Sequence, residues 1–326
     1  MKKKILPRIL AALGICLVLA IVIFIGWVYL LMPSVPLQEH TVQITPDRVE
    51  RGRYLANHVM VCIDCHSTRD WSKFSGPLVP GTEGKGGEVF DQKLGFPGAF
   101  HAVNITPFNL SGWTDAEIYR AITGGVSKDG HPLFPIMPYP YYGTLDTEDI
   151  YSIIAYIRSL PPIEYTVERS KINFPMSMII RMIPDKAAPQ PKPPVTDTLK
   201  YGEYLVRAAG CIECHTPAEH GQIVHKLAFS GGREFKLPNG MLVSPNITPD
   251  KNTGIGNWSP DAFITRFKGY DLSTFTPNTL RKGEMQSTMP WTMYAGMDST
   301  DLTAMYKYLS SLEPITNKVV TFRPDK

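Results

Sequence analysis

The chain has 326 residues, is 43% hydrophobic and carries a formal net charge of +3. That length accommodates two small domains and a tether, and the ordinary hydrophobic content excludes a protein embedded in a membrane over most of its length. Much of the positive charge is local, in Lys2, Lys3, Lys4 and Arg8, and without a basic stripe elsewhere no nucleic-acid partner is expected.

Residues 9–32 contain no charged side chain. As a helix they span about 36 Å, enough to cross a hydrocarbon core of roughly 30 Å with some tilt. Pro7 and Pro33 bracket the run, and Trp27 and Tyr29 lie near its far end, where aromatic rings favour the membrane interface. The expectation is a single-pass transmembrane anchor within residues 1–35 in the cytoplasmic (inner) membrane. The lysines before it hold the N-terminus in the cytoplasm and the rest of the chain on the periplasmic side. The alternative is a cleaved signal. That would have a shorter apolar region followed by a small-x-small site, and Leu30-Leu31-Met32-Pro33-Ser34 offers none. Cys16 follows Ile15 rather than a small residue and is read as an apolar cysteine of the helix, not a lipid attachment point.

Beyond the anchor the sequence repeats itself in order. Arg51-Gly52-Arg53-Tyr54-Leu55 returns as Tyr201-Gly202-Glu203-Tyr204-Leu205, and Cys62-Ile63-Asp64-Cys65-His66 as Cys211-Ile212-Glu213-Cys214-His215. Phe74-Ser75-Gly76 is matched with Phe229-Ser230-Gly231, Asn104-Ile105-Thr106-Pro107 with Asn246-Ile247-Thr248-Pro249, Trp113-Thr114-Asp115 with Trp258-Ser259-Pro260-Asp261, and Met137-Pro138-Tyr139 with Met289-Pro290-Trp291. An ordered internal repeat of this kind marks a duplicated unit, here residues 46–163 and 198–318. Each unit reads as helices joined by long loops. A short helix is expected at 47–57 and again at 199–208, with Gly52 and Gly202 allowing another helix to approach. Thr114-x-x-Glu117 reads as a capping box and Ser259-Pro260 as an N-cap followed by proline. Ile150, Ile153, Ile154, Ile157 and Leu160 recur at helical spacing before Pro161, as do Leu302, Met305, Tyr306, Leu309 and Leu312 before Pro314.

Residues 164–197 form the expected linker. Its end, Ala187-Ala188-Pro189-Gln190-Pro191-Lys192-Pro193-Pro194, suits a stiff extended strap. Before it, residues 174–183 are unusually apolar but too short to span a bilayer. They are expected to pack between the domains, or else to form part of a partner or membrane surface.

Four of the five cysteines stand in two copies of Cys-x-x-Cys-His, the attachment signature of c-type haem. Two thiols reach two vinyl groups on one porphyrin edge, and the histidine turns under the ring to bind iron. Zinc or a redox dithiol would use Cys-x-x-Cys without requiring histidine next in sequence. The expectation is therefore two covalent haems c, on Cys62 and Cys65 and on Cys211 and Cys214, with His66 and His215 as axial ligands. Methionine as the second axial ligand suits an electron carrier. Between residues 40 and 160 only Met60 and Met137 exist, and Met60 lies too close to Cys62 to cross the ring. Met137 is the expected ligand, and the repeat selects Met289 in the second unit, leaving Met293 and Met297 to packing. His40, His58, His101, His131, His220 and His225 have no repeat counterpart. They are read as surface or packing residues, with His101 and His131 the alternatives for ligation in the first unit. Trp113 and Trp258 are expected in the core, with a haem propionate as the alternative partner of the indole N–H. Each axial histidine needs a carbonyl acceptor for its other nitrogen. Pro77 is the candidate in the first unit, and Gly232 occupies the matching place in the second.

The order Cys-x-x-Cys-His, Asn-Ile-Thr-Pro, Trp-[Thr/Ser], Met-Pro-[Tyr/Trp] over residues 46–318 resembles the cytochrome c subunits of membrane-bound bacterial alcohol, gluconate and aldehyde dehydrogenases. Ser244-Pro245-Asn246-Ile247-Thr248-Pro249-Asp250 is its most specific stretch. The resemblance implies an all-α protein of two tandem class I cytochrome c domains after the N-terminal transmembrane helix. It implies electron relay from a periplasmic or membrane-bound dehydrogenase toward quinone, a terminal oxidase or another cytochrome, at a lipid bilayer and without substrate chemistry of its own. The chain departs from that family in having two haem motifs rather than three. A di-haem peroxidase is the rival, and needs an open sixth position that two equivalent Met-Pro-aromatic sites do not offer. A haem c subunit of a terminal oxidase is the third reading.

Overall fold

The computed structural model describes residues 5–325 apart from His220. Lys2, Lys3 and Lys4, invoked above to orient the chain, and the packing role expected of His220 lie outside the described residues. Helix α1 (Ile5–Leu31) is unbroken, with Pro7 in its first turn, where no hydrogen bond is lost. It is apolar all round, with Ile23 70% and Leu30 84% exposed, the pattern of a helix whose surroundings are themselves apolar. By length and composition it is able to cross a membrane.

In the first half α2 (Pro46–Tyr54) is capped by the Thr45 hydroxyl. It runs through one π-helical turn, Leu55–Val59, and then α3 (Cys62–Cys65) follows the left-handed residue Val61. Next come α4 (Pro107–Leu110), α5 (Asp115–Gly124), α6 (Tyr139–Tyr142) and α7 (Thr147–Ser159). Both halves of the Thr114/Glu117 capping box form, and the four isoleucines of α7 are buried. After α8 (Met176–Ile179) the second half repeats the order with α9 (Thr198–Ala208), α10 (Cys211–Cys214), α11 (Pro260–Lys268), α12 (Trp291–Tyr294) and α13 (Ser299–Ser310). Ser259 caps α11 as its sequence predicts.

Two helix crossings hold the halves' cores: α2 against α7, and α9 against α13. The glycines explain why they are close. A Cβ on Gly52 would lie 1.8 Å from the Ser152 carbonyl oxygen, and one on Gly202 would lie 2.0 Å from that of Ala304.

The protein is not purely helical, contrary to the expectation from sequence. Among the described residues three small antiparallel sheets join β1 (Val89–Phe90), β2 (Gly98–His101) and β3 (Lys171–Ile172), β4 (Ala218–Glu219) and β5 (Gln222–Ile223), and β6 (Glu234–Leu237), β7 (Gly240–Val243) and β8 (Phe322–Pro324). They lie largely in the long loops after each Cys-x-x-Cys-His. Backbone amides there have no helix to satisfy them and pair with each other. The Asn239-Gly240 step, a hairpin signal, turns β6 into β7 with Leu237 opposite Gly240.

The halves meet in a reciprocal pattern. Tyr54 of α2 donates its hydroxyl to Asp301 of α13 at 2.7 Å, and Tyr204 of α9 donates to Asp149 of α7 at 2.8 Å. Tyr54 and Tyr204 are repeat partners, as are Asp149 and Asp301, so each half presents the same pair to the other, as in an isologous interface. Asp149 is 2% exposed and also pairs with Arg51 at 2.9 Å and Lys192 at 3.0 Å. Burial pushes its carboxyl up, but Arg51 and Lys192 outweigh that and hold it below the ordinary carboxylate range.

Residues 187–194 form neither helix nor strand. They are pinned to the first half by Ala188 N to Gly143 O at 2.9 Å and Lys192 N to Asp146 Oδ2 at 2.7 Å. In the apolar stretch before them, the turn Ile180–Met182 that follows α8 lies at the C-terminal end of α1.

Candidate functional site

Helices α3 and α10 are single turns, which puts Cys62 with Cys65, and Cys211 with Cys214, on one helix face. His66 and His215 close those turns, their amides bonding Cys62 O at 3.0 Å and Cys211 O at 2.9 Å. The His66 Nδ1 lies 2.7 Å from the Val103 carbonyl and the His215 Nδ1 2.8 Å from that of Pro245. A carbonyl only accepts, so Nδ1 carries the proton and Nε2 keeps its lone pair for a metal. Burial lowers both imidazole pKa values, against the opposing carbonyl bond, which favours that neutral form. Burial also pushes the thiols up, to about 12 for Cys62, Cys65 and Cys211 and about 11 for Cys214. A redox dithiol needs the reverse. Among the described residues no three His, Cys, Asp or Glu side chains gather as a metal site, so the zinc reading gains no support.

The acceptors correct the sequence reading. Pro77 takes the amide of Asp70 instead, and Gly232 is not its counterpart. Val103 and Pro245 each directly precede Asn-Ile-Thr-Pro, and that motif explains their placement. Asn104 is buried, donates to the carbonyls of Ile163 at 2.9 Å and Tyr165 at 3.0 Å, and accepts from the Thr106 amide and hydroxyl. Asn246 does the same with Ile315 O, at 2.7 Å, and with both groups of Thr248. Each asparagine clips the acceptor-bearing segment to the chain leaving the last helix of its half.

A second correction concerns the repeat. The His66 carbonyl accepts from Gly86 N at 2.8 Å and the His215 carbonyl from Gly231 N at 2.7 Å. A Cβ on either glycine would strike the backbone beside the following asparagine, 2.7 Å from Asn104 N or 2.6 Å from Asn246 N. The partner of Phe229-Ser230-Gly231 is therefore Gly84-Lys85-Gly86, not Phe74-Ser75-Gly76. The latter belongs to an insertion of the first half that grips the second. Ser75, buried at φ 64, donates its hydroxyl to Met289 O at 2.6 Å and accepts from Trp291 N at 3.2 Å. Gln286 bonds Ser75 N at 2.8 Å, Trp71 O at 3.1 Å and Lys73 O at 2.9 Å. Sequence offered no sign of this grip, since Phe74-Ser75-Gly76 reads there as part of the repeat.

Met137 and Met289 sit in matching turns. Each carbonyl accepts from the amide two residues on, at 2.7 Å from Tyr139 and 2.8 Å from Trp291. Pro138 and Pro290 between them have φ/ψ of −79/47 and −78/65, inverse γ-turns. Both methionines are half-buried against the core, whereas Met60, Met293, Met297 and Met305 are buried within it. Among the other histidines, His40 bonds Tyr151 Oη and His58 bonds the Met293 carbonyl. His101 lies on β2, and His131 and His225 are exposed. Trp113 packs on the core as expected, but Trp258 is 38% exposed, its carbonyl held by the Tyr306 hydroxyl.

These residues fit a haem c. Paired thiols sit one helical turn apart, an imidazole has Nδ1 occupied and Nε2 available, and a half-buried thioether occupies a fixed turn. The buried Tyr139 hydroxyl, two residues after Met137, has no hydrogen-bond partner among the described residues, which leaves a donor for a polar group of a bound ligand.

Residues 199–313 of the chain match the family model for cytochrome c, an electron-transfer class. Its homologues include the cytochrome c subunit of the quinone alcohol dehydrogenase of Gluconacetobacter polyoxogenes, 30% identical across 83% of this chain and 58% of that protein. The gluconate 2-dehydrogenase cytochrome c subunit of Pantoea cypripedii is also 30% identical, across 81% of this chain and 59% of its own length. A diheme cytochrome c-type protein of Cereibacter sphaeroides is 29% identical across 67% and 70% respectively. The chain thus spans a little under three-fifths of the two dehydrogenase subunits.

Proposed function

We propose that the protein is a membrane-anchored di-haem cytochrome c built of two tandem domains, 46–163 and 198–318, joined by the linker 164–197. Cys62 and Cys65 hold one haem and Cys211 and Cys214 the other, with His66/Met137 and His215/Met289 as axial pairs. The observation that carries this reading is the repeated unit of imidazole, acceptor carbonyl and asparagine clip, built twice from the same residue types. Haem supplies the one-electron redox chemistry. The protein's part is to fix the imidazole plane and tautomer, to hold the thioether and to keep the iron ligated through the redox cycle. The dehydrogenase relatives support a dehydrogenase as donor, and the acceptor in this proposal is quinone, a terminal oxidase or another cytochrome. With α1 as the anchor, both domains stand on the periplasmic side of the inner membrane.

A pyridine haemochrome assay is expected to give two haems per chain, both retained after acid–acetone extraction. Met289→Ala is expected to make one of the two irons high-spin, CO-reactive and lower in potential, leaving the other unchanged. One haem per chain, or the same effect from Met293→Ala and none from Met289→Ala, would overturn the assignment.

A further inference from the structure

The reading of α1 as a membrane helix has a consequence for the apolar stretch before the proline strap. Along α1 the side chains are exposed until Val28, which is fully buried, and the turn in contact with this end of the helix contributes the buried Ile180. Arg181 fastens the contact, donating to the Met32 carbonyl at 3.2 Å with its guanidinium 4.8 Å from the Tyr29 ring centre. Val28 is three residues before the end of α1, about 4.5 Å along the axis. If α1 spans a bilayer, the turn docked on it lies at the level of the membrane boundary.

The apolar side chains left uncovered there are Phe174, 79% exposed, Met182, 42%, and Ile179, 37%. Single exposed apolar residues are ordinary, but Met182 lies in the turn docked on the foot of the apolar α1, with Ile179 next to that turn and Phe174 five residues before Ile179. The flanking charge is of the sign that meets acidic headgroups. Residues 168–186 contain Arg169, Lys171, Arg181 and Lys186 against Asp185 and Glu168, the latter paired with Lys171 at 2.7 Å, which leaves a net charge of +2.

We propose that residues 174–182 form a second, shallow membrane contact. In it Phe174, Ile179 and Met182 enter the headgroup–acyl boundary of an anionic bilayer while the flanking basic residues remain among the headgroups. This rests on the membrane-anchor reading of α1 and adds to it a fixed orientation. A helix alone leaves the soluble part free to swing, whereas two contacts hold it at one attitude to the surface.

The test uses the full-length holoprotein in vesicles of phosphatidylcholine and phosphatidylglycerol, in a Cys16→Ser background. Spin labels are placed at Phe174→Cys, at Leu30→Cys in the anchor and at Lys236→Cys on β6. Their exposure to oxygen, which dissolves in lipid, is compared with exposure to a water-soluble nickel chelate. The expected result is that the label at 174 behaves as the one at 30 does, and that at 236 reports water. Lipid at 30 with water at 174 would overturn the proposal and leave the anchor standing. Water at both 30 and 174 would remove the anchor reading itself. Phe174 is mostly in the open, so its replacement leaves the fold intact.

Discussion

Asn104 and Asn246 are small buried residues with a large structural task. Each amide serves both edges of the segment that presents a carbonyl to the axial histidine, so removing it strands several buried partners at once. Asn246→Ala is expected to cost on the order of 3 kcal/mol, read as a lower unfolding midpoint in denaturant with unchanged slope. Asn246→Asp keeps the oxygen that accepts from Thr248 but loses the donors to Ile315 and Thr253. It also sets a carboxylate oxygen against the Ile315 carbonyl in a buried site, so it should cost at least as much as Asn246→Ala. If both variants match the wild type, the clip is not what holds Pro245 in place. The motif was visible in the sequence as a repeat, but its role was not, because the bonds it makes span 69 residues to Ile315 and 61 residues to Tyr165.

Among the elements, the insertion carrying Ser75 reaches from the first half to the turn carrying Met289. Ser75→Gly separates its two properties. Glycine accepts the left-handed backbone without strain, while the hydroxyl bonds to Met289 O and Trp291 N are lost. The expected outcome is a native-like melting profile. The methionine-to-iron(III) charge-transfer band of one haem should, however, be displaced by imidazole at a concentration several-fold lower than in the wild type. An unchanged imidazole titration would mean that Ser75 merely fills the interface. In the second half α9, α11 and α13 were legible in advance, since capping and 3.6-residue periodicity are local, whereas α12, which starts at Trp291, was not. The insertion was misassigned to the repeat because Phe-Ser-Gly occurs in both halves at places that do not correspond in space.

At the scale of the whole molecule the halves are locked by Tyr54–Asp301 and Tyr204–Asp149. Asp149→Asn leaves a buried site with Arg51, Lys192 and Tyr204 around it and no anion, and breaking such a pair costs about 3 kcal/mol. The pH dependence follows from the lowered carboxyl. A group whose folded pKa lies below its unfolded value stabilises above the unfolded value and loses that contribution as pH falls through the folded one. The wild type is therefore expected to exceed Asp149→Asn in stability at neutral pH. The gap should close as pH drops below the ordinary 3.8, measured by denaturant unfolding across the acid range. A gap independent of pH would assign the loss to packing rather than charge.

What the sequence determined by itself was whatever depends on neighbours in the chain. The charge-free run forms one helix, each Cys-x-x-Cys-His forms a single turn, and Thr114, Ser259 and the glycines at 52 and 202 do what their types dictate. The repeat also pointed to Met137 and Met289, which lie in matching turns. Only the tertiary structure decided which carbonyls meet His66 and His215, and that the loops pair as strands. It also placed Ser75 against the turn of Met289, and the turn Ile180–Met182 at the foot of α1. Each of these is a contact between segments distant in the chain. Local preference leaves many partners open to a backbone carbonyl or a serine hydroxyl, and only the packing of the helices leaves one within reach.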